Sequence, residues 1–384
     1  MNKANIMSKF NAMSLQAKGS VLVFVAGILL VLTGFAVAAI DVGRVFIVRN
    51  EMQNVADAAA LAGANCLDRQ SLAGSTTECT SATSTTLNWD RASAKATDEL
   101  GRNTADNRAI STTDSGHQID VGYWNLLTKS PSGGTLSKTF TPLTNDDKPA
   151  VRVTITKDVG KNNGPITMLT RWMFGGSDVP MTAKAVAVIS SPGSVVPGAL
   201  IPVAINQCMF DQYWDSVKGQ PVLFKSGDVD PYGLSKLGQP WEVRIGSSYH
   251  YPSCESGQWT SFQQNANDVP TVRDLIANGN PTALNITDNT WIQPGTKDSL
   301  YNSLSSQYPT PPGADVTVVV VNQPSGWSTN TQTPIVGFAG FHIDDIQGGS
   351  GKYIQGHFIQ GAISSGSSGV GPYYGTYTPP RLAQ

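Results

Sequence analysis

Charge is scarce in this sequence. Only 14% of its 384 residues are Asp, Glu, Lys or Arg, against about 25% in an ordinary soluble domain. The 26 basic and 28 acidic residues almost cancel, and the Lys and Arg are scattered along the chain. A phosphate backbone needs a concentrated basic surface, so no nucleic-acid partner is expected.

Catalytic patterns are missing too. The four histidines, His117, His250, His342 and His357, form no HExxH and no other metal spacing. There is no Gly-x-Ser-x-Gly elbow, and no Cys sits in a reactive-site motif. Gly348-Gly349-Ser350-Gly351-Lys352 mimics a phosphate loop, but the place of the first loop Gly is taken by Ile346 and Lys352 is followed by Tyr353. A hairpin turn is expected there. Asp228 and Asp230 precede Gly233 as in part of a calcium loop, but the remaining ligands are missing and an ordinary turn is the simpler account. His342 and Asp344, two apart on an expected strand, share a face that His357 could join from the next strand. The ordinary reading of that face is exposed polar surface. No enzyme activity, catalytic residue, metal or cofactor is expected.

What the chain does have is turns. Its 38 Gly and 23 Pro, with abundant Ser, Thr and Asn, point to many short strands. The length fits two domains, or one large sandwich.

The N-terminus differs from the rest. Ser20 to Ile40 reads SVLVFVAGILLVLTGFAVAAI, an uncharged run long enough to cross about 30 Å of hydrocarbon as a helix. Ser20, Val21, Phe24, Leu29, Leu30, Phe35 and Ile40 would form the membrane anchor. Lys3, Lys9 and Lys18 precede it without an acidic residue, whereas Asp41, Arg44, Arg49 and Glu51 follow it. The positive-inside bias puts the N-terminus in the cytoplasm and the chain beyond about residue 41 outside. Val37-Ala38-Ala39 offers small residues for signal cleavage, but the run is longer than a signal core and the helical pattern continues through the cut. An uncleaved single-pass anchor is expected.

Past the membrane, Val45, Val48, Met52, Val55, Ala59, Ala62 and Cys66 recur at spacings of three or four, predicting one long helix from Ser20 to Cys66. Ala56, Ala60 and Ala64, with Ala59 and Gly63, flatten one face so that another backbone can approach closely. That face could dock on the chain's own exported domain or on helices of other subunits.

Asp41-Val42-Gly43-Arg44, then Gln53-Asn54-Val55-Ala56-Asp57-Ala58-Ala59-Ala60-Leu61-Ala62-Gly63-Ala64, after an apolar run opening at Lys18-Gly19-Ser20, resemble the N-terminal motif of the TadG-like family (TadE/TadG-like) of Tad-type (Flp) pilus assembly proteins. Val121-Gly122-Tyr123-Trp124, Ala150 to Ile155 and Ile335 to Phe341 are similar to later strands of such proteins. Two family features are absent. There is no Asp-x-Ser-x-Ser metal site, so no such metal is carried over. Pilins and TadE-type minor pilins place a Glu five residues after the cleaved Gly, and counting from Gly19 that residue is Phe24, so an unprocessed anchor is expected.

The fold expected is α+β: a long transmembrane helix continuing into an extracytoplasmic helix, packed on an antiparallel sheet, then a β-rich distal domain. Residues 1–19 are the cytoplasmic N-terminus, 20–66 the helix, 67–190 a membrane-proximal domain, 191–198 a Pro/Gly linker, 199–365 the distal domain and 366–384 a flexible tail. A second helix is expected over Asn88 to Ala109, with strands near 118–124, 150–157, 183–190, 316–322, 335–343 and 353–359. The four cysteines lie where disulfides persist; Cys66 with Cys79 and Cys208 with Cys254 would each staple a loop within one domain, free buried thiols being the alternative. Trp214, Trp241, Trp259, Trp291 and Trp327 would be core packing or a binding surface.

The resemblance implies a non-enzymatic component of Tad/Flp pilus assembly in the bacterial inner membrane, with its bulk periplasmic or surface-exposed. Its partners would be other pilus assembly or minor pilin-like proteins and the pilus filament, with surface adhesion the outcome. The alternative is a membrane-tethered binding module for a glycan or surface ligand, and more remotely an envelope hydrolase.

Overall fold

A computed structural model of the chain describes residues 3–67, 88–215, 220–248, 250–295, 297–323, 325–359, 362–363 and 369–383. Its elements run α1 (Lys3–Asn65), α2 (Trp89–Arg102), β1 (His117–Asn125), β2 (Ser130–Pro131), β3 (Asp147–Lys157), α3 (Thr170–Phe174), β4 (Met181–Val188), β5 (Val203–Asn206) and α4 (Gln207–Tyr213). There follow β6 (Val243–Gly246), β7 (Gly257–Thr260), α5 (Val269–Asn278), β8 (Asn289–Gln293), α6 (Asp298–Gln307), β9 (Ala314–Val321), β10 (Thr331–Gln347), β11 (Tyr353–Phe358) and β12 (Arg381–Leu382). The architecture is α+β.

No proline interrupts α1, and its 63 residues make a helix about 95 Å long at 1.5 Å per residue. It begins well before Ser20. In its apolar part Val21, Phe24, Leu29, Leu30, Phe35 and Ile40 are all exposed, at 57–72%. Among the described residues this is the one helix long and apolar enough to cross a membrane.

Helix α2 starts where Asn88 Oδ1 accepts the Arg91 N–H at 3.2 Å, an N-cap bond. Ala92, Ala96 and Leu100 are buried at successive i+4 positions. It ends at Arg102, seven residues before the expected stop at Ala109. Thr104–Ala105 pairs with Arg108–Ala109 around Asp106 and Asn107, both left-handed (φ 56° and 55°). An Asp-Asn pair accepts that conformation and closes a two-residue hairpin turn, which the helix-forming composition around it concealed.

Two sheets follow. A five-stranded sheet has the order β12-β4-β3-β1-β2. A seven-stranded sheet has the order β6-β11-β10-β8-β7-β5-β9, and β9 also pairs with β10, so β5, β7, β8, β10 and β9 form a closed ring of hydrogen-bonded neighbours. The β9–β5 pair is parallel and its ladder places Val319 opposite Ala204. Val316, Val318 and Val320 of β9 pack with Phe341 and Ile343, while Val319 and Val321 pack with Ile335, Phe338 and Phe262. Burial on both faces explains why this strand reads as an unbroken valine run. Gln347 pairs with Tyr353 across the Gly348–Gly351 turn.

The distal sequence, read as β-rich, also holds α5 and α6. Asp268 caps α5 by accepting the Thr271 N–H at 2.9 Å, with proline in the first turn and Gly279 (φ 76°) at the end. Contacts divide the chain into two units: Met1–Ala58, Thr97–Gln118 and Val153–Lys184; and Ala59–Ala96, Ile119–Arg152 and Ala185–Gln384. Within the second unit Ser191, the first residue of the segment read as a linker, is fully buried, as is Ser190 just before it, and Ser194–Val195 pairs with Leu284–Asn285. In the tail read as flexible, Thr376 and Tyr377 are buried and β12 pairs with β4, Arg381 opposite Val188.

Candidate functional site at the membrane exit of the helix

Immediately after the apolar run, α1 carries Asp41 and Arg44, and both are held by the chain itself. Asp41 is 1% exposed. Its carboxylate accepts the N–H groups of Leu169 (2.8 Å) and Thr170 (2.7 Å), donors that the first turn of α3 leaves without helical partners. One turn on, Arg44 donates from Nη2 and Nε to Oδ1 of Asp106, at 2.8 and 3.3 Å, and from Nη1 to the Thr167 carbonyl at 3.0 Å. Glu51 accepts the Asp106 N–H at 2.7 Å. Gln53 donates to Asp57 (2.8 Å) and to the Lys184 carbonyl (3.0 Å). The acidic and basic motif positions therefore clamp the 103–110 hairpin and the 167–170 segment onto the helix where it leaves its apolar stretch.

Gly43 is exposed, and an added Cβ would meet nothing within 4 Å. Among the described residues no contact accounts for a glycine there.

The flat face is filled. Ala56, Ala60 and Ala64 are fully buried, and a Cβ on Gly63 would lie 2.8 Å from the Ala92 carbonyl oxygen and 3.0 and 3.1 Å from Ala96 and Val151. Of the two dockings the sequence allows, the one on the chain's own residues occupies this face at Gly63. Leu61 and Asp57 are half-buried, and Asn50 and Asn54 are exposed.

Cys208 and Cys254 are joined by a disulfide. Cys66 is disulfide-bonded as well, and Cys79 lies outside the described residues.

A second cluster lies on the seven-stranded sheet. His342 faces His357 across the β10–β11 ladder and Asp315 across the β9–β10 ladder. Its Nδ1 is 2.5 Å from Asp315, Asp344 lies 2.8 Å from Nδ1 of His357, and the two rings are 5.2 Å apart. A register shift between Ile343 and Asp345 marks a bulge at Asp344. The hydrogen bond to Asp315, opposed by partial burial, raises the His342 pKa above its ordinary value. Asp315 was not part of the sequence reading. It lies 27 residues from its histidine. Among the described residues no group of three or more His, Cys, Asp or Glu is arranged to hold a metal ion. Asp230 spends its carboxylate on the N–H groups of Tyr232, Leu234 and Ser235, which is a backbone turn.

Trp214 and Trp259 are in the core, Trp241 and Trp327 pack against it, and Trp291 is half-buried.

An apolar helix with a polar clamp at its exit and a folded α+β body defines a class: proteins held by one N-terminal helix. Family models narrow it. The TadE/G-like Flp pilus-assembly family matches residues 19–65 and the Tad-like Flp pilus-assembly family matches residues 72–187. Residues 19–65 and 72–187 are thus similar to Tad-type Flp pilus-assembly families. No curated protein and no solved structure matches it.

Proposed function

We propose that this protein is a non-catalytic, single-pass component of a Tad-type pilus assembly system, acting through protein–protein contacts. One observation carries the reading: two pilus-assembly family matches follow one another from the apolar helix through the clamp and into the first sheet. The lysines before the apolar run and the mixed charges after it support a cytoplasmic N-terminus and an inner-membrane anchor, with the bulk of the chain periplasmic or exposed at the surface. Other assembly or minor pilin-like subunits and the filament are the partners this reading calls for. With the alanine face occupied internally, the exposed side of α1, at Asn50 and Asn54, is the helix surface left for them. The glycan-binding alternative loses much of its basis, because Trp214 and Trp259 are buried.

Photo-crosslinking in cells from Asn50 and Asn54 tests this, with Met52 as a buried control. Capture of pilus assembly subunits from the exposed positions is expected. Normal piliation and adhesion in a deletion strain would refute the reading.

A further inference from the structure

Helix α3 is short and unusually apolar on its outside. Trp172 is 88% exposed, Phe174 61% and Leu169 47%. Three large apolar side chains on one short segment form the kind of patch that water disfavours and that marks a contact surface.

Its position identifies the contact. A Cβ on Gly34 would lie 3.0 Å from Cζ of Phe174, and Gly34 is buried although its neighbours Thr33 and Phe35 are exposed. Gly34 sits within the apolar run, seven residues before Asp41, or about 10 Å further along the helix axis. The Phe174 ring thus lies beside α1 at the depth of its membrane span, while Asp41 holds the other end of the segment at Leu169 and Thr170. On α1 itself, exposed apolar surface continues past Asp41 through Val42, Phe46 and Ile47.

The N–H groups of the segment are bound within the chain. The Leu169 and Thr170 N–H groups are bound by Asp41, the Arg171, Trp172 and Gly175 N–H groups by the carbonyls of Met168, Leu169 and Arg171, and the Arg171 guanidinium by Asp178 at 2.6 Å. Lipid tolerates only backbone whose hydrogen bonds are made internally. Tryptophan favours the boundary between hydrocarbon and headgroups.

We propose that α3 is a second membrane contact, a non-spanning wedge lying beside α1 in the leaflet from which α1 emerges, with Trp172, Phe174 and Leu169 in contact with lipid. This rests on α1 spanning the bilayer. The wedge fixes the depth and rotation of the anchor relative to the clamp, which a lone helix in lipid would leave free to slide and turn.

The full chain, reconstituted in phosphatidylcholine nanodiscs with ordinary or brominated acyl chains, provides the test. Brominated lipid should remove a share of emission that is absent in Trp172→Phe; with eight tryptophans in the chain, that share is about one part in eight. A Phe24→Trp probe in the Trp172→Phe background reports on the span itself. Quenching of that probe with equal quenching of wild type and Trp172→Phe overturns the wedge and leaves the anchor standing. Absence of quenching in both overturns wedge and anchor together. Quenching of the probe together with a Trp172-dependent loss supports the wedge.

Discussion

Two nitrogens of Arg44 converge on one carboxylate oxygen of Asp106, 62 residues away in sequence. The pair is partly exposed, with Arg44 at 40% and Asp106 at 14%, so its worth lies between that of a surface ion pair and that of a buried one. Arg44→Met should destabilise the clamp by about 1–2 kcal/mol, charge-assisted bonds being discounted for solvent. Hydrogen exchange of the Thr104–Ala109 hairpin should accelerate correspondingly. Unchanged protection there would show that the pair holds nothing.

Gly63→Ala should cost roughly 1–3 kcal/mol by overpacking, because its Cβ would press on a backbone oxygen that cannot swing aside. Gly63→Leu should cost more. The effect should appear in urea unfolding of the isolated chain, with no partner present. A variant that unfolds like wild type would mean the face has room after all.

Reducing the Cys208–Cys254 bond should lower stability by about 4 kcal/mol on the loop-entropy estimate for a 46-residue separation. Cys208→Ala/Cys254→Ala isolates this bond from the one made by Cys66. The comparison is of urea midpoints under oxidising conditions, and equal midpoints would contradict it.

Acid should act through Asp147. Burial opposes its charge, but donors from Ser132, Asn125, Leu143 and Thr144 bring its pKa down to about 2. A depressed carboxylate contributes stability that is complete above the unfolded value near 3.8 and lost as pH falls toward 2. Asp147→Asn should flatten the fall in thermal midpoint between pH 4 and about 2. If the variant and wild type lose stability in parallel over that range, the assignment fails.

His342 has the opposite sign. Its raised pKa means that the contribution of Asp315 is complete below the ordinary histidine value near 6.5 and disappears as pH rises through the folded value. The charge of Asp344, 3.7 Å from Nε2 of His342, adds to the same upward shift. Asp315→Asn should therefore be less stable than wild type at mildly acidic pH and similar to it at alkaline pH. A stability gap that does not depend on pH would rule out the linkage.

What the sequence disclosed was local. The apolar length of α1, the valine run of β9 and the glycine turn before β11 each follow from spacing within a few residues. The clamp did not, since Asp41 finds its donors 128 and 129 residues away and nothing near Asp106 marks it as a partner. The hairpin after α2 was hidden because Asp and Asn act as turn formers only when the helix has already stopped, and Asn103 stops it by bonding back to Glu99. Helix α5 had a readable start in Asp268 and Pro270 and a readable end in Gly279, obscured by the turn-rich composition around it. Helix α6, DSLYNSLSSQ, has weak intrinsic preference and owes its form to burying Leu300, Tyr301 and Leu304.

The strand formed by Arg381 and Leu382 lies along β4 nearly two hundred residues upstream, Arg381 beside Val188. Ribosomes deliver the chain from its N-terminus, so β4 keeps that edge bare until Arg381 and Leu382 have been made. Unpaired strand edges invite pairing with other chains. Without that strand the edge of β4 at Val188 is free to pair with a second copy of the chain, and a stop codon before Arg381 would make that exposure permanent.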